Sequence, residues 1–588
     1  MMEVTRLFDI PYYQLEKYPN SKMFSYKSEG TWNNISTEAF IQKVNNVSKG
    51  LINYGIKPND KIAIVSPNRY EWNCIDIAVQ QVGAIVIPVY PNISTNDYRY
   101  IFNDAQIKLA FLGTEELFEK LTSIKSEIPS LETLYTFDVI NGANYWESIF
   151  DISDTHEEEL RARKSVIKFE DLATIIYTSG TTGNPKGVML SHKNILSNVT
   201  ACIPIIPADH NSRVITFLPV CHVYERMLHY LYMKLGAAIY FAESMDTIGE
   251  NIKEVKPHVF TAVPRLLEKV YDKIIAKGNE LEGFKRKLFF WAVELAEEYD
   301  VQGKGLWYGI KLWIARKLIF SKWMEALGGE VRAIASGSAA LSPHLCRIYL
   351  AAGINVLEGY GLTETSPVVS VNNLKDGIRI GTVGPLLDNV EVKFAEDGEI
   401  LVKAPSVMIG YYNKPEATAE AIDADGWFHT GDIGEMIEGK YLKITDRKKE
   451  IFKTSGGKFI IPQAMENKFK ESRFIEQIIV IGEGERFPAA LIVPAFPFLK
   501  DWSIRKGYGL ENLSNEDIIK DERVISRIQQ EVNRFNELYG NWEKIKQFRL
   551  LPHEFTIEGN ELTPTLKFKR KIILEKYKAT VQDIYQAG

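Results

Sequence analysis

The sequence predicts an α/β protein with a large N-terminal domain built on parallel sheets and a smaller second domain. Short apolar segments rich in Val and Ile alternate with helical patterns between residues 36 and 115, which is typical of strands joined by covering helices. Beyond Gly377 the pattern changes to short β segments separated by turns. With 588 residues, the chain is also longer than one hydrophobic core normally supports.

Strands and helices alternate most clearly in the first 115 residues. A helical pattern begins at Thr37 and ends near Gly55, and Ser36 before it is a typical N-terminal cap. Apolar strands follow at 61–65, 84–89 and 109–112. Because parallel strands need long connections, usually helices, this order predicts a parallel sheet with helices packed on it.

Composition and charge exclude several classes of protein. The chain has 70 basic and 76 acidic residues and a net charge of −6, so no general positive field points to nucleic acid. Its four cysteines are far apart and form no CxxC pair, which argues against a zinc site or disulfide framework and fits a reducing cytoplasm. No segment approaches the roughly 18 uninterrupted apolar residues that cross a bilayer. We therefore expect a soluble, cytoplasmic protein.

The most informative stretch is Tyr177–Gly187, YTSGTTGNPKG, which follows an apolar β-branched strand. Glycines let backbone N–H groups turn toward an anion, hydroxyls add donors and Lys186 adds a positive charge, so the loop suits a polyphosphate. It is not a Walker loop, because its lysine stands before a glycine and no hydroxyl follows. A flexible polar hairpin is the alternative, and the density of donors speaks against it. The predicted nucleotide-binding residues are Thr178, Ser179, Gly180, Thr181, Thr182, Gly183 and Lys186.

This stretch resembles the signature of the adenylate-forming enzymes, which include acyl-CoA synthetases, luciferases and peptide-synthetase adenylation domains. The resemblance implies that a carboxylate is activated with ATP. It also implies a large N-terminal domain with a β-subdomain, followed by a small, mobile α+β domain. We place the hinge at Asp446, which gives domains 1–445 and 446–588.

A histidine stands just after the apolar strand Val214–Val220. The carboxyl ends of strands are where open α/β sheets bind ligands. Taken alone, His222 is interpreted most simply as an ordinary histidine at the start of a helix. However, Leu218, Pro219 and His222 match the LP-x-x-H segment of the acyl-CoA synthetases. The resemblance implies that His222 orients the acyl carboxylate.

A long helical region is predicted from Leu266 to about Ala326. Lys and Arg outnumber Asp and Glu eight to four between Phe284 and Met324, among many aromatic residues. Helices of this kind can lie on the inner face of a membrane, as a peripheral contact. The alternative, which we prefer, is a helical insertion packed on the large domain. The insertion and the segment Val263–Asp272 resemble the long-chain branch of the acyl-CoA synthetases.

Two segments rich in small residues are the candidate adenine site. In Val331–Pro343 a strand leads into a loop whose small residues let a planar ring approach the backbone. In Ile354–Pro367 a tyrosine stands between two glycines, and a hydroxyl and a carboxylate follow. An aromatic residue in an ordinary strand-end turn is the alternative. The resemblance implies that Tyr360 stacks on adenine, Thr363 touches the α-phosphate and Glu364 holds Mg²⁺. The other residues concerned are Ser336, Gly337, Ser338, Gly359 and Gly361.

Two glycine turns late in the chain hold further candidates. Asp432 follows the first turn and would by default be an exposed aspartate. The resemblance implies that it accepts hydrogen bonds from both ribose hydroxyls, with Arg447 contacting the ribose as well. Gly456 and Gly457 form the second turn, which the family brings to the active site for thioester formation.

The last motif is Leu562–Lys567, LTPTLK, which matches the long-chain form of the family's C-terminal catalytic segment. Lys567 would attract carboxylate and α-phosphate oxygens while charge moves between them. A solvated basic tail is the alternative for this segment.

Five motifs thus occur in family order, and the resemblance covers essentially the whole chain. It implies that a long-chain fatty acid and ATP, with Mg²⁺, give acyl-adenylate and pyrophosphate, and that coenzyme A then gives acyl-CoA and AMP. One other interpretation is an adenylating enzyme for another acid or acceptor, such as an aryl acid or an acyl carrier protein. A second is a non-catalytic nucleotide-binding or membrane-scaffold protein.

Overall fold

Two eight-stranded sheets form the framework of the larger part of the protein. The computed structural model describes residues 3–178, 184–448, 450–556, 558–563 and 568–586. The chain divides into two units. The first holds the residues up to Lys393 with Leu401–His429 and Met436–Leu442, and the second holds Phe394–Ile400, Thr430–Glu435 and the chain from Lys443 onward.

The first sheet is parallel at its centre and antiparallel at both edges. Its strands, in order across the sheet, are Val368–Val371, Val356–Gly361, Ala333–Ser336, Val259–Ala262, Arg213–Thr216, Ala238–Phe241, Phe24–Ser28 and Thr31–Ile35. The strands that carry the candidate adenine residues are therefore direct neighbours in this sheet.

The second sheet is parallel except for the pairings at one edge. Its strands, in order, are Gly410–Tyr411, Lys186–Ser191, Leu172–Thr178, Ile85–Val89, Lys61–Val65, Ile107–Leu112, Thr133–Thr136 and Asn144–Tyr145. The central strands are buried on both faces, as in other parallel sheets covered by helices. The predicted α/β fold class is confirmed.

Three smaller sheets follow along the chain. The four-stranded sheet contains Glu391–Phe394, Glu399–Lys403, Phe428–Ile437 and Tyr441–Arg447. A short hairpin pairs Phe452–Lys453 with Phe459–Ile460. The last sheet contains Ile475–Ile481, Ala489–Pro494 and Gln547–Leu550. Helices pack on this last sheet to form the apolar core of the second unit.

Helices cover the sheets and connect their strands. The helix predicted from Thr37 spans Thr37–Tyr54; the Ser36 hydroxyl accepts from the Ala39 N–H, and Gly55 ends it with φ +93°. The other helices of the first unit are Ile10–Lys17, Tyr70–Gln81, Thr95–Asp104, Glu115–Ile124, Glu157–Val166, His192–Cys202, Val223–Leu235, Ile248–Val255, Pro264–Glu280, Gly283–Glu297, Leu306–Ala315, Ser321–Ala326, Pro343–Ala351 and Pro415–Ala421. Those of the second unit are Pro462–Phe469, Phe496–Lys506, Asn515–Ile518, Glu522–Asn536, Arg570–Lys576 and Lys578–Gln586.

The helical region predicted from Leu266 to about Ala326 is observed, whereas residues 515–538 differ from their pattern. The region from Leu266 to Ala326 is several helices, because Leu281 and the glycines near 303–305 interrupt it. The amphipathic pattern of residues 515–538 predicts one long helix, but two are observed, because Asp521 leaves the helical conformation. Its carboxylate accepts from the Arg523 N–H and caps a new helix. No described helix is both long enough and apolar enough to cross a membrane.

Candidate active site

The strands on either side of the glycine-rich loop form an antiparallel pair. Thr178 ends one strand, Lys186 begins the next, and the two residues stand opposite each other. The glycine that follows Lys186 packs so closely that a Cβ there would lie 2.7 Å from Ile175. The predicted loop residues Ser179, Gly180, Thr181, Thr182 and Gly183 lie outside the described residues.

Lys186 and Glu364 are brought together by a tyrosine. The Lys186 Nζ lies 4.8 Å from the centre of the Tyr411 ring. The Tyr411 hydroxyl donates to the Glu364 Oε1 at 2.9 Å. Burial and the neighbouring Glu364 carboxylate raise the pKa of Tyr411, so the phenol keeps its proton and donates. The Lys186 cation and the Glu364 carboxylate thus contact the same tyrosine, one through its ring and the other through its hydroxyl.

The environment of Glu364 fits a magnesium ion that arrives with phosphates. Glu364 lies in the short turn Thr363–Thr365, and Thr363 before it is buried. Within the described ranges, no group of three or more His, Cys, Asp or Glu side chains could hold a metal ion. Mg²⁺ commonly takes one or two protein carboxylates and completes its shell with substrate phosphates and water. A single carboxylate of this kind is the donor set that such binding needs.

His222 is the N-terminal cap of helix Val223–Leu235. Its Nδ1 accepts from the Tyr224 N–H at 3.3 Å, and its ring centre lies 6.5 Å from that of Tyr90. The positive end of a helix favours a bound anion. The arrangement therefore suits a carboxylate presented to His222.

The small-residue loop after strand Ala333–Ser336 packs against the same helix. A Cβ on Gly337 would lie 3.4 Å from the Tyr224 ring, so this backbone and the residue two after His222 are in contact. Ser336 is buried, and its Oγ has no hydrogen-bond partner within the described part of the chain. Ser338 adopts a left-handed conformation with φ +70°. Beside Tyr224, the loop therefore offers a ligand backbone groups and the hydroxyls of Ser336 and Ser338.

A buried carboxylate connects this loop to the strand that carries the predicted adenine tyrosine. The Glu358 Oε1 accepts from the Leu341 N–H at 2.9 Å. Burial raises the pKa of Glu358 to about 7. Gly359, Tyr360 and Gly361 are the last three residues of the same strand, Val356–Gly361. A Cβ on Gly361 would lie 1.9 Å from the Pro367 carbonyl oxygen, so no larger residue fits there.

In the second unit, two predicted ribose-binding residues contact each other. The Arg447 Nε donates to the Asp432 Oδ1 at 3.1 Å, and Asp432 is buried. Gly431 before it has φ +72°. The Glu399 carboxylate accepts from the Gly431 N–H at 2.9 Å and so fixes this turn.

The predicted hinge residue carries an incompletely satisfied carboxylate. The Asp446 Oδ1 accepts from the Arg447 N–H at 2.5 Å, whereas its Oδ2 has no partner within the described part of the chain. Burial raises the pKa of Asp446 to about 7, and the nearby Glu450 carboxylate acts in the same direction.

The second glycine turn joins the strands of the short hairpin. The Gly457 N–H donates to the Thr454 carbonyl oxygen at 2.8 Å, and Gly457 has φ +74°. No heavy atom lies within 4 Å of the position that a Cβ on Gly457 would take. Gly456 and Gly457 are both exposed. Lys567 lies outside the described residues.

Sequence reasoning missed Tyr411, Glu358 and the buried partners of helix Val223–Leu235. Tyr411 lies 47 residues after Glu364 along the chain, and no local pattern marks it as a partner of that carboxylate. Glu358 lies within the motif Ile354–Pro367, but a glutamate in a strand gives no signal of its hydrogen bond to Leu341.

Comparisons with known proteins agree over nearly the whole chain. The AMP-binding enzyme family matches residues 12–412, and the AMP-binding enzyme C-terminal domain matches residues 449–588. The chain is 32% identical over 574 residues to the long-chain-fatty-acid–CoA ligase FadD15 of Mycobacterium bovis, covering 96% of this chain and 95% of that one. It is 32% identical over 606 residues to the peroxisomal long chain acyl-CoA synthetase 7 of Arabidopsis thaliana, covering 97% and 84%.

A solved structure gives the same picture of the fold. The adenylation domain of a carboxylate reductase from Mycobacterium chelonae matches with a TM-score of 0.75 and 21% identity, covering 99% of this chain and 91% of that one. At this identity the likeness shows the fold alone.

Proposed function

The chain belongs to the AMP-binding enzyme family, and we propose that it joins a long-chain fatty acid to coenzyme A with ATP, releasing AMP and pyrophosphate. Enzymes of this family use ATP and coenzyme A. The names of the relatives that match nearly the full chain support a long-chain fatty acid as the substrate. The four free cysteines, all buried, are consistent with the cytoplasmic location that we propose.

In the first proposed step, a carboxylate oxygen of the fatty acid attacks the α-phosphorus of ATP. The bond from this phosphorus to the β-phosphate oxygen breaks, and pyrophosphate leaves. Lys186, Thr178 and the loop between them bind the departing phosphates. Thr363 contacts the α-phosphate and His222 orients the carboxylate. Glu364 would hold Mg²⁺, which neutralises the charge on the phosphates.

Lys567 is the remaining catalytic residue in this proposal. Its ammonium group stabilises the oxygens that gain charge as pyrophosphate departs. Adenine stacks on Tyr360 beside the small-residue loops, and the ribose is bound by Asp432 and Arg447. The contacting loop residues are Ser336, Gly337, Ser338, Gly359 and Gly361.

In the second proposed step, the thiolate of coenzyme A attacks the acyl carbon, and AMP leaves with one of the former carboxylate oxygens. We assign Gly456 and Gly457 to this step, because an exposed glycine turn lets a narrow ligand pass along the backbone. Asp446 is proposed as the hinge between domains 1–445 and 446–588.

The contact of Lys186 and Glu364 with Tyr411 is the observation that best supports this chemistry. It joins the phosphate-loop lysine and the proposed magnesium carboxylate, two groups that a phosphate-transfer step needs side by side. A polar hairpin without function would not need a tyrosine that contacts its lysine and also donates to a half-buried carboxylate. The same arrangement speaks against a non-catalytic nucleotide-binding protein.

The test is AMP release with acids of two to twenty carbons and with an aryl acid. We expect the highest kcat/KM with long-chain acids and coenzyme A. A preference for an aryl acid, or for an acyl carrier protein as acceptor, would support the alternative adenylating ligase. ATP turnover with none of these acids would contradict the proposal.

We also propose that a surface of helix Leu306–Ala315 contacts anionic membranes. One face of this helix is packed on the core through Leu312 and Ala315. The opposite face carries exposed apolar side chains, with Trp307 77% and Trp313 62% exposed. The other exposed apolar residues of this surface are Leu306, Ile310, Leu318 and, on the neighbouring helix, Phe284.

Cations lie among these apolar side chains. The Lys317 Nζ lies 5.3 Å from the Trp313 ring centre, and Lys311 is exposed on the same helix. The neighbouring helix begins with three exposed cations, Lys285, Arg286 and Lys287. Tryptophan and leucine set among lysines are typical of helices that lie at the interface of anionic lipid bilayers.

The membrane proposal is tested by sedimentation with vesicles. We expect binding to phosphatidylcholine mixed with phosphatidylglycerol and much weaker binding to phosphatidylcholine alone. The double variant Trp307→Ala/Trp313→Ala should lose binding, whereas Trp542→Ala, which alters a tryptophan 53% exposed in the second unit, should keep it. Equal sedimentation of both variants would contradict the assignment of this surface.

A further inference from the structure

Asn68 connects the two large sheets at the segment that leads to His222. It lies just after strand Lys61–Val65 of the second sheet, whereas the segment follows strand Arg213–Thr216 of the first. The Asn68 Nδ2 donates to the Leu218 carbonyl oxygen at 2.6 Å, and its Oδ1 accepts from the Val220 N–H at 2.9 Å. One side chain therefore holds the backbone on both sides of Pro219.

The segment that Asn68 holds ends in the proposed carboxylate-binding residue. The His222 N–H donates to the Pro219 carbonyl oxygen at 3.0 Å, which closes a tight turn. The carbonyl oxygen of His222 then accepts from the Arg226 N–H and opens the helix. A shift of the backbone at 218–220 would therefore change the position of the His222 side chain.

Asn68 is also the outer end of a buried hydrogen-bond chain. Its Nδ2 lies 3.2 Å from the Thr216 Oγ1, which lies 2.9 Å from the His229 Nε2. The His229 Nδ1 in turn lies 3.0 Å from the Asn73 Nδ2. Burial lowers the pKa of His229 to about 3, so its ring is neutral and carries one proton.

The donors and acceptors in this chain can be assigned. When Glu225 is ionised, the Thr216 hydroxyl donates its single proton to the Glu225 Oε1 at 2.6 Å, so it accepts from Asn68 and from His229. The proton of His229 is therefore on Nε2, and Nδ1 accepts from Asn73. The Thr261 hydroxyl donates to the other Glu225 oxygen at 2.6 Å. The first turn of the His222 helix is thereby bonded to two neighbouring strands.

We propose that Asn68 is a positioning residue for His222, holding the segment 218–220 so that the imidazole meets the carboxylate of the acyl substrate. The inference rests on the proposed function, because His222 needs an acid to orient. It assigns to Asn68 no contact with substrate. Its effect is on geometry, through two backbone hydrogen bonds and one bond to Thr216.

The variants separate these bonds. Asn68→Ala removes all three, whereas Asn68→Asp keeps an acceptor for the Val220 N–H and loses both donors. Asn355→Ala is the matched control, since the half-buried Asn355 also donates to a backbone carbonyl, that of Arg332, at 2.8 Å. Each variant is made in the wild-type and in the His222→Ala background, and its melting temperature is recorded.

We expect Asn68→Ala to lower kcat/KM for the fatty acid by about tenfold or more, with KM for ATP changed by less than about twofold. Asn68→Asp sets a carboxylate oxygen against the Leu218 carbonyl oxygen and should lose at least as much as Asn68→Ala, whereas Asn355→Ala should match the wild type. In the His222→Ala background, Asn68→Ala should have little further effect, because the residue acts through His222.

Two outcomes overturn this inference while leaving the proposed function intact. One is an active wild type whose kcat/KM for the acid is unchanged by Asn68→Ala. The other is a loss of the same size in the His222→Ala background, which would mean a general structural role. A folded wild type that releases no AMP with any acid overturns the proposed function, and this inference with it.

Discussion

His222 is assigned to the acyl carboxylate and Gly457 to the coenzyme A step, yet their surroundings differ: His222 lies among buried hydrogen bonds, whereas Gly457 is exposed. The segment before His222 is bonded by Asn68, and the helix after it is anchored by the buried carboxylate of Glu225. Gly457 lies in an exposed hairpin turn, with no atom within 4 Å of a Cβ placed there. The first arrangement fixes a geometry in advance. The second leaves a segment that a ligand can approach along its backbone.

This difference suggests a division of work between the His222 segment and the Gly457 turn. His222, the residue assigned to the acid, lies between a segment bonded by Asn68 and a helix bonded through Glu225, which suits a step that depends on preorganised charge. Residues assigned to the thioester step lie on a short turn, which suits a ligand that enters later. Four variants test this division, from the largest expected effect to the smallest.

Lys567→Ala is expected to have the largest effect. Removing a cation that stabilises transition-state charge costs about 100- to 1,000-fold in rate, and we expect a loss at the upper end in ATP–pyrophosphate exchange. Lys569→Ala, two residues away in the same segment, is the control and should keep its activity. Normal exchange in a folded Lys567→Ala protein would contradict the role assigned to Lys567, because adenylation would then not need this cation.

Glu364→Gln should lower adenylation by about 100-fold, because the amide is a poor ligand for Mg²⁺ carried by phosphates. The apparent KM for Mg-ATP should rise, and excess Mg²⁺ should restore part of the activity. Tyr411→Phe removes only the hydroxyl that donates to Glu364 and should have a much smaller effect. An unchanged Mg²⁺ dependence in Glu364→Gln would remove this carboxylate from the metal site.

Gly457→Ala should slow thioester formation by about tenfold and leave ATP–pyrophosphate exchange near the wild-type rate. The added Cβ strains a residue with φ +74°, at a cost of roughly 1 kcal/mol. Gly509→Ala controls for this strain, since Gly509 has φ +72° and open space around it in the same unit. An equal loss in both half-reactions would erase the proposed distinction between the two regions.

The smallest expected effect is on stability and concerns Glu225. Burial raises its pKa from 4.5 to about 7. The folded protein therefore keeps a proton that the unfolded chain releases between these values, and the free energy of unfolding falls as pH rises from about 4.5 to 7. Glu225→Gln removes this contribution.

The change is measured as the difference in melting temperature between pH 5 and pH 8. We expect this difference to be smaller by about 1–2 °C in Glu225→Gln than in the wild type. Glu250→Gln alters an exposed carboxylate in the first turn of another helix and should keep the wild-type difference. A larger difference in Glu225→Gln would show that the sign assigned to this buried carboxyl is wrong.

Local signals explain what the sequence predicts well. The α/β class follows from apolar strands that alternate with capped helices, as at Ser36 and Gly55, and both residues act as predicted. The strands beside the glycine-rich loop also follow from local pattern. Residues such as Tyr411 and Asn68 were missed for a common reason. Their hydrogen-bond partners are 47 to 152 residues away in sequence, and only the sheet order brings them together.

The helix predicted from Asn515 to Leu538 shows a different limit. Its apolar periodicity continues across Asp521, so the pattern alone indicates one helix. The aspartate instead caps a second helix, a choice that depends on competition between side-chain and backbone hydrogen bonds. Lys567 and residues 179–183 lie outside the described residues, and their roles stay predictions.

Oxygen transfer is the most direct test of the central claim, that the protein activates a carboxylate by forming an acyl-adenylate. A long-chain fatty acid labelled with ¹⁸O in both carboxylate oxygens is incubated with ATP, Mg²⁺ and coenzyme A, and the nucleotide is analysed by mass spectrometry. The account predicts AMP that carries one ¹⁸O atom, together with acyl-CoA and unlabelled pyrophosphate. ADP as the product, or AMP without the label, would contradict it.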